Sequence, residues 1–361
     1  MKKSILTCAI ISAILCIFYS CKKDDTSSNG GGNAIFVRNG VLILNEGAFG
    51  FGNASVSFFN VNDKSVIEDV FSEVNSLPLG DVAQSITLFN NNLYIVVNNS
   101  QKIEVVDRSF FKSQFTINGF TSPRYFLAVN SSKAYVSDWS DNNIKIVNLS
   151  SYAISGSIPA GNGPEQMLLA NNKVYVANVG GFGNDSTVTV IDANTDNVLL
   201  SLQTGLNPNS LQQDKDGKIW TLCRGTIGPD FTGGTTDDIG GMLLRINPVN
   251  DSIETVFNFT QFEHPLRLQI NNAKDELFYL SGMSDYDGMV YKFGIYDGSL
   301  PSAPLINKIF YGLGIDPVNE NIHGGYSPAF GQNGYMFRYS TAGVLIDSVK
   351  VGIGPNGFLT N

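Results

Sequence analysis

The stretch GNGPEQMLLANNKVYVANVGGFGNDSTVTVIDANTDNVLLSLQTG, residues 161–205, decides the fold. It opens on a glycine–proline hinge, Gly161-Asn162-Gly163-Pro164. An aliphatic–aromatic strand follows, Val174-Tyr175-Val176-Ala177, and then an alternating one, Val188-Thr189-Val190-Ile191-Asp192. Successive side chains of a strand point to opposite faces, so the period here is two rather than 3.6. Proline has no N–H to give to a ladder and belongs where a strand begins. The stretch closes on Gly205-Leu206-Asn207-Pro208, the next hinge.

The same order recurs on both sides of it. Aliphatic–aromatic strands lie at Leu93-Tyr94-Ile95-Val96-Val97, Ala134-Tyr135-Val136-Ser137, Ile219-Trp220-Thr221-Leu222 and Leu277-Phe278-Tyr279-Leu280, with weaker copies at Val41-Leu42-Ile43-Leu44 and Ile322-His323-Gly324-Gly325. From Tyr94 through Tyr135, Tyr175, Trp220, Phe278 and His323 the intervals are 41, 40, 45, 58 and 45 residues. An alternating strand follows each copy, from Ser55-Val56-Ser57-Phe58-Phe59 to Tyr335-Met336-Phe337-Arg338-Tyr339. A further strand closes each unit, as in Val66-Ile67-Glu68-Asp69-Val70-Phe71 or Val344-Leu345-Ile346-Asp347-Ser348-Val349. Seven units averaging about 46 residues over 40–361 describe an all-β, seven-bladed β-propeller with four-stranded blades. The chain enters at Gly40-Val41 directly in a second-strand motif and ends at 355–361 as a hinge plus a first strand. The C-terminal strand is therefore expected to complete blade 1, which removes both open edges. Two β-sandwiches would explain neither the count of seven nor the orphan last strand, and nothing reads as a long amphipathic helix.

Composition agrees with one large soluble body. Charged residues are 15% and hydrophobic residues 43% of 361, which excludes disorder. After residue 20 no run of 18 apolar residues occurs, which excludes a helical membrane bundle. Net charge is −9 and no basic patch is visible, so nucleic acid is set aside as a partner. This acidity argues against anionic ligands.

The N-terminus reads as an address. Lys2 and Lys3 precede the apolar run Ile5–Tyr19, so residues 1–20 are expected to be a signal peptide. Ser20-Cys21 resembles a bacterial lipoprotein signal, which implies lipidation of Cys21 and a membrane anchor through that lipid; an uncleaved anchor or plain secretion are the alternatives. Lys22-Lys23-Asp24-Asp25 resembles the surface-export signal of Bacteroidetes lipoproteins, implying the outer membrane with the protein facing the cell exterior. Residues 21–33 are then the lipidated cysteine and a flexible tether, and 34–361 a single propeller domain. Cys223 alone among the four cysteines remains for the propeller, in an apolar run that suits a buried thiol.

The tyrosine/valine strand, the V-x-V-x-D strand and the Gly-x-x-Pro hinge resemble the YVTN/YncE-like seven-bladed propellers over nearly all of 40–361. The opening LILNEGAFGFGNASVSFFN, behind a lipoprotein-type leader, resembles the BtuG-type surface propellers. That resemblance implies capture of cobalamin, or another corrinoid, for a TonB-dependent outer-membrane transporter.

In a propeller, the loops from second to third strand and the hinges entering each first strand meet on one face, here the top. Unequal top loops carry aromatic tips between glycines, together with amide and acid groups: Glu46, Phe49 and Phe51; Asn98; Asp138 and Trp139; Phe182 and Asn184; Arg224 and Phe231; Asp285 and Tyr286. The hinges add Gln84, Arg124, Glu165, Gln166, Asn209, Arg267 and Asn356 at the channel mouth, where pairing between blades is the alternative role. Aromatic rings and amides in this arrangement suit a large, flat, polar organic ligand. No catalytic, metal or cofactor set is expected: His264 and His323 form no spaced pair, and Asp237-Asp238 and Asp285-Tyr286-Asp287 suit solvated acidic turns better than a Ca²⁺ site. A binding protein is thus the first expectation. A metal-dependent lyase or lactonase, and a protein-interaction scaffold, remain as alternatives.

Overall fold

The computed structural model describes residues 40–229, 233–284 and 286–360. Seven four-stranded antiparallel sheets account for every strand. The first strands are Pro355–Thr360 in blade 1, then Ala83–Phe89, Pro123–Ala128, Pro164–Ala170, Pro208–Gln213, Leu266–Ile270 and Gly312–Ile315 in blades 2 to 7. Each touches the first strands of the adjacent blades, and the series closes from Pro355–Thr360 onto Ala83–Phe89. This is the ring of a propeller. Blade 1 is completed as the sequence implies: Pro355–Thr360 pairs antiparallel with Gly40–Asn45, placing Ile43 opposite Phe358.

The second strands are the most deeply buried. Leu93–Val97, Val174–Asn178 and Ile219–Cys223 are buried at every position. Both faces of these strands meet a neighbouring blade, which is why they read as continuous apolar runs. Between blades the core divides into clusters, such as Tyr135, Ile144, Val174 and Ile191 at one junction and Trp220, Leu243, Tyr279 and Phe293 at another. Cys223 is fully buried, and burial pushes its thiol up to about 12.

One element departs from the expected pattern. The fourth strand read over Val66–Phe71 is only two residues long, Val66–Ile67, and a helix, Val70–Asn75, replaces the rest. The Asp69 side chain caps it by accepting a hydrogen bond from Ser72 N at 3.2 Å. Val70 and Phe71 are both buried in the cluster with Leu42, Leu79 and Phe111. A strand would have sent these consecutive side chains to opposite faces; the helical turn lets both reach the core.

Candidate functional site

The hinge residues owe their positions to a repeated backbone irregularity. In blade 2 the ladder skips Gln84, in blade 5 Asn209 and in blade 1 Asn356. In blades 3, 4 and 6 it skips two residues against one: Arg124-Tyr125, Glu165-Gln166 and Arg267-Leu268. Each skip is a β-bulge directly after the hinge, and a bulge re-aims the side chains it carries. Arg267 is held at φ 61°, an uncommon conformation for a non-glycine residue. Gly312–Ile315 of blade 7 pairs in regular register.

These bulged residues form the floor of a two-stage depression on the top face. The narrow inner part, about 330 Å³, is lined by Gln84, Arg124, Glu165, Asn209, Arg267 and Asn356 among others. It opens into a bowl of about 960 Å³, and Glu46, Arg124, Trp139, Tyr286 and Tyr311 line both. The floor is organised by charge. Arg124 grips Glu165 through two parallel hydrogen bonds, Nε to Oε2 at 2.8 Å and Nη2 to Oε1 at 3.0 Å. Its guanidinium also lies over the Trp139 ring, 3.9 Å from the centroid. The Tyr311 hydroxyl donates to the Glu46 carboxylate. Burial, reinforced by the charge of Glu46, raises the Tyr311 hydroxyl well above its ordinary range, so it stays protonated and keeps donating.

Most hinge and loop amides serve pairing between blades. Asn356 Nδ2 reaches Ala83 O at 3.2 Å, and Asn98 Nδ2 reaches Ser122 Oγ and Pro123 O, both at 3.0 Å. Gln166 Oε1 accepts from Leu211 N at 2.6 Å, and Asn209 Nδ2 donates to Pro265 O at 3.2 Å. Asn98 still borders the bowl, and Gln166 and Asn209 the inner part.

The rim is aromatic. Phe49, Phe182, Tyr286 and Phe330 line the bowl with 67%, 89%, 73% and 76% of their surface exposed. Tyr286 stacks on Tyr311, with ring centroids 5.9 Å apart and planes at 10°. Phe182 meets the edge of Trp139 at 6.0 Å. Arg224 lines the inner part.

Three residues singled out from sequence lie off both spaces. Asp138 is fully buried and accepts from Thr121 N at 2.7 Å and Ser122 N at 2.8 Å, pinning the blade 3 hinge. Asn184 Oδ1 accepts from Asn207 Nδ2 at 2.8 Å, bracing the blade 4 loop. Phe51 is exposed outside the bowl. Cys21, Phe231 and Asp285 fall outside the described residues. Asp238, expected in a solvated turn, is instead buried 3.4 Å from His264 Nε2, where the loop 233–239 folds back on the blade 6 hinge.

Sequence reasoning missed the contribution of blade 7. Tyr311 stands at its hinge, and the loop Ser327-Pro328-Ala329-Phe330-Gly331 forms one wall of the bowl. The Pro328/Gly331 turn chemistry around Phe330 was the available signal. Tyr125, half-buried beside Gln84, was likewise missed.

The family model for a domain of unknown function, DUF5074, matches residues 39–351. Among solved structures, a quinonprotein alcohol dehydrogenase-like protein from Bacteroides thetaiotaomicron superimposes with a TM-score of 0.67 at 15% identity, over 89% of this chain and 78% of that one. The periplasmic gluconolactonase of Pseudomonas aeruginosa gives 0.64 at 12% identity, over 89% and 99%. A functionally unknown protein from Desulfotomaculum acetoxidans gives 0.61 at 14% identity, over 90% and 99%. At these identities the likeness is one of fold. No curated protein sequence matches the chain.

Proposed function

The chain belongs to the DUF5074 family, and from that premise we propose that it is a non-catalytic binding protein that captures a large, flat, polar organic molecule in the top-face bowl. One observation carries this reading. Four large aromatic side chains stand mostly exposed around a single bowl of about 960 Å³ whose floor is polar and charged. A contiguous patch of exposed rings around a polar floor is the kind of surface that marks a ligand-binding site. Aromatic side chains supply contact area at low entropic cost, and the floor supplies orientation.

A lactonase-like chemistry in the same bowl is the weaker reading. Among the described residues its carboxylates are Glu46 and Glu165, which are held by Tyr311 and Arg124, and neither is left as a free base. In the capture reading, lipid on Cys21 tethers the protein to the outer membrane, facing the exterior, and the ligand passes to a TonB-dependent transporter. Cobalamin is the first ligand to try, being large enough to span rim and floor.

Calorimetric titration of the protein with cyanocobalamin tests the specific ligand. The expected result is a saturable signal that Trp139→Ala weakens at least about tenfold, the loss typical of a central aromatic contact. No heat at tens of micromolar protein would eliminate cobalamin.

A further inference from the structure

Around the floor, the hinge side chains hand on from one blade to the next. Asn356 of blade 1 reaches blade 2. Ser85 Oγ of blade 2 donates to Arg124 O at 2.7 Å, and Arg124 of blade 3 grips Glu165 of blade 4. Gln166 of blade 4 accepts from Leu211 of blade 5, and Asn209 of blade 5 donates to Pro265 at the hinge of blade 6. The series breaks at Arg267. Blade 7 offers it Gly312-Leu313-Gly314, with no side-chain acceptor, where every other blade offers a bulged polar residue. Arg267 makes no hydrogen bond and no ion pair with any described residue; the Tyr311 ring lies 5.5 Å from its guanidinium carbon, and Glu46 and Glu165 act on it through charge alone.

The nearby carboxylates do not fill the gap. Glu46 is occupied by the Tyr311 hydroxyl and Glu165 by Arg124. An arginine keeps its charge under all ordinary conditions and presents five N–H donors in a planar fork. Such a group, partly buried in a cavity and held there by a left-handed backbone, costs free energy unless something pairs with it. Of the charged side chains Arg124, Arg267, Glu46 and Glu165 that line the floor, Arg267 alone makes no hydrogen bond to a described residue.

We propose that the captured molecule carries an anionic group, a carboxylate or a phosphate, that enters the inner part of the site and is received by the Arg267 fork. This rests on the capture reading above and sharpens it. It also reverses the expectation drawn from the acidity of the whole chain, because a ligand at the floor meets the local charges first. The Tyr311 ring beside Arg267 holds the guanidinium plane in place for a two-point contact.

Three probes of one shape test it by calorimetry: 2-naphthoate, 2-naphthyl phosphate and the neutral 2-naphthamide. The expected result is binding of at least one anion about tenfold or more tighter than the amide, as a charge-assisted hydrogen bond predicts. Preference for naphthoate or for naphthyl phosphate identifies the group. Arg267→Asn, chosen because asparagine tolerates the left-handed conformation, should remove the preference for the anion over the amide, and Arg267→Lys should keep part of it. Equal binding of all three probes to the unaltered protein would overturn the anion assignment and leave the capture reading standing. Failure of all three to bind, or binding that Trp139→Ala does not weaken, would overturn both. The comparison on the unaltered protein decides the matter even where a variant fails to fold.

Discussion

His323 is fully buried in blade 7, and neither of its ring nitrogens has a hydrogen-bond partner among the described residues. Burial lowers its pKa to about 4, with Asp316 opposing and Arg338 assisting. In the unfolded chain the ring takes its proton near pH 6.5, so between pH 6.5 and 4 the unfolded state binds more protons than the folded one. Stability should therefore fall as pH drops through that window, by roughly 3 kcal/mol at most. His323→Phe, which keeps an aromatic ring against Phe358, should flatten this fall; parallel denaturant titrations at pH 7 and pH 4.5 would read the difference. The Arg124–Glu165 pair makes a second prediction at this scale. Both side chains are less than 15% exposed, so Glu165→Gln would leave a nearly buried guanidinium without its counter-charge. The expected loss is about 3 kcal/mol in urea unfolding, the low end for a broken buried pair because the site borders a wet cavity. A loss below about 0.5 kcal/mol would mean that solvent already screens the pair. Both residues were legible in the sequence, since each follows its hinge proline directly. Their partnership was not, because nothing local sets Arg124 facing a residue 41 positions on.

At the scale of elements, alternation located the second and third strand of every blade, since that signal is complete within a few residues. Two features escaped it. Val70 and Phe71, which open the helix Val70–Asn75, fall in the strand read over Val66–Phe71, because six residues cannot separate the two periods. Asp69→Ala removes the cap of this helix and should cost about 1 kcal/mol in denaturant stability, with no change in the bowl. The bulges after the hinges escaped for a different reason. A bulge is a mismatch between two strands, and the residues of either strand alone do not show it. Yet the bulges turn Gln84, Arg124, Glu165, Asn209, Arg267 and Asn356 into a ring, and they distinguish these blades from the regular blade 7.

For the whole molecule the decisive contact is the seam between blade 7 and blade 1. A Cβ at Gly325 would lie 2.0 Å from Pro355 O, so glycine is required for the C-terminal strand to sit against blade 7. Gly325→Val should force the seam apart, lowering the melting temperature and exposing residues 355–361 to limited proteolysis ahead of the rest; a melting curve like that of the unaltered protein would show the seam to be plastic. The number of blades, four strands to each, the C-terminal closure and the face on which the loops gather were all determined by the sequence itself. They follow from period-two alternation and hinge prolines, which act within a few residues and repeat. Only the tertiary structure decided which of the top-face residues line a common bowl, that Asp138 and Asn184 brace loops instead, that Tyr311 and the loop around Phe330 join the wall, and that Arg267 has no hydrogen-bond partner among the described residues. These outcomes depend on which side chains the ring brings face to face. Tyr311 and Glu46, hydrogen-bonded across the floor, stand 265 residues apart, a separation at which no local pattern can act.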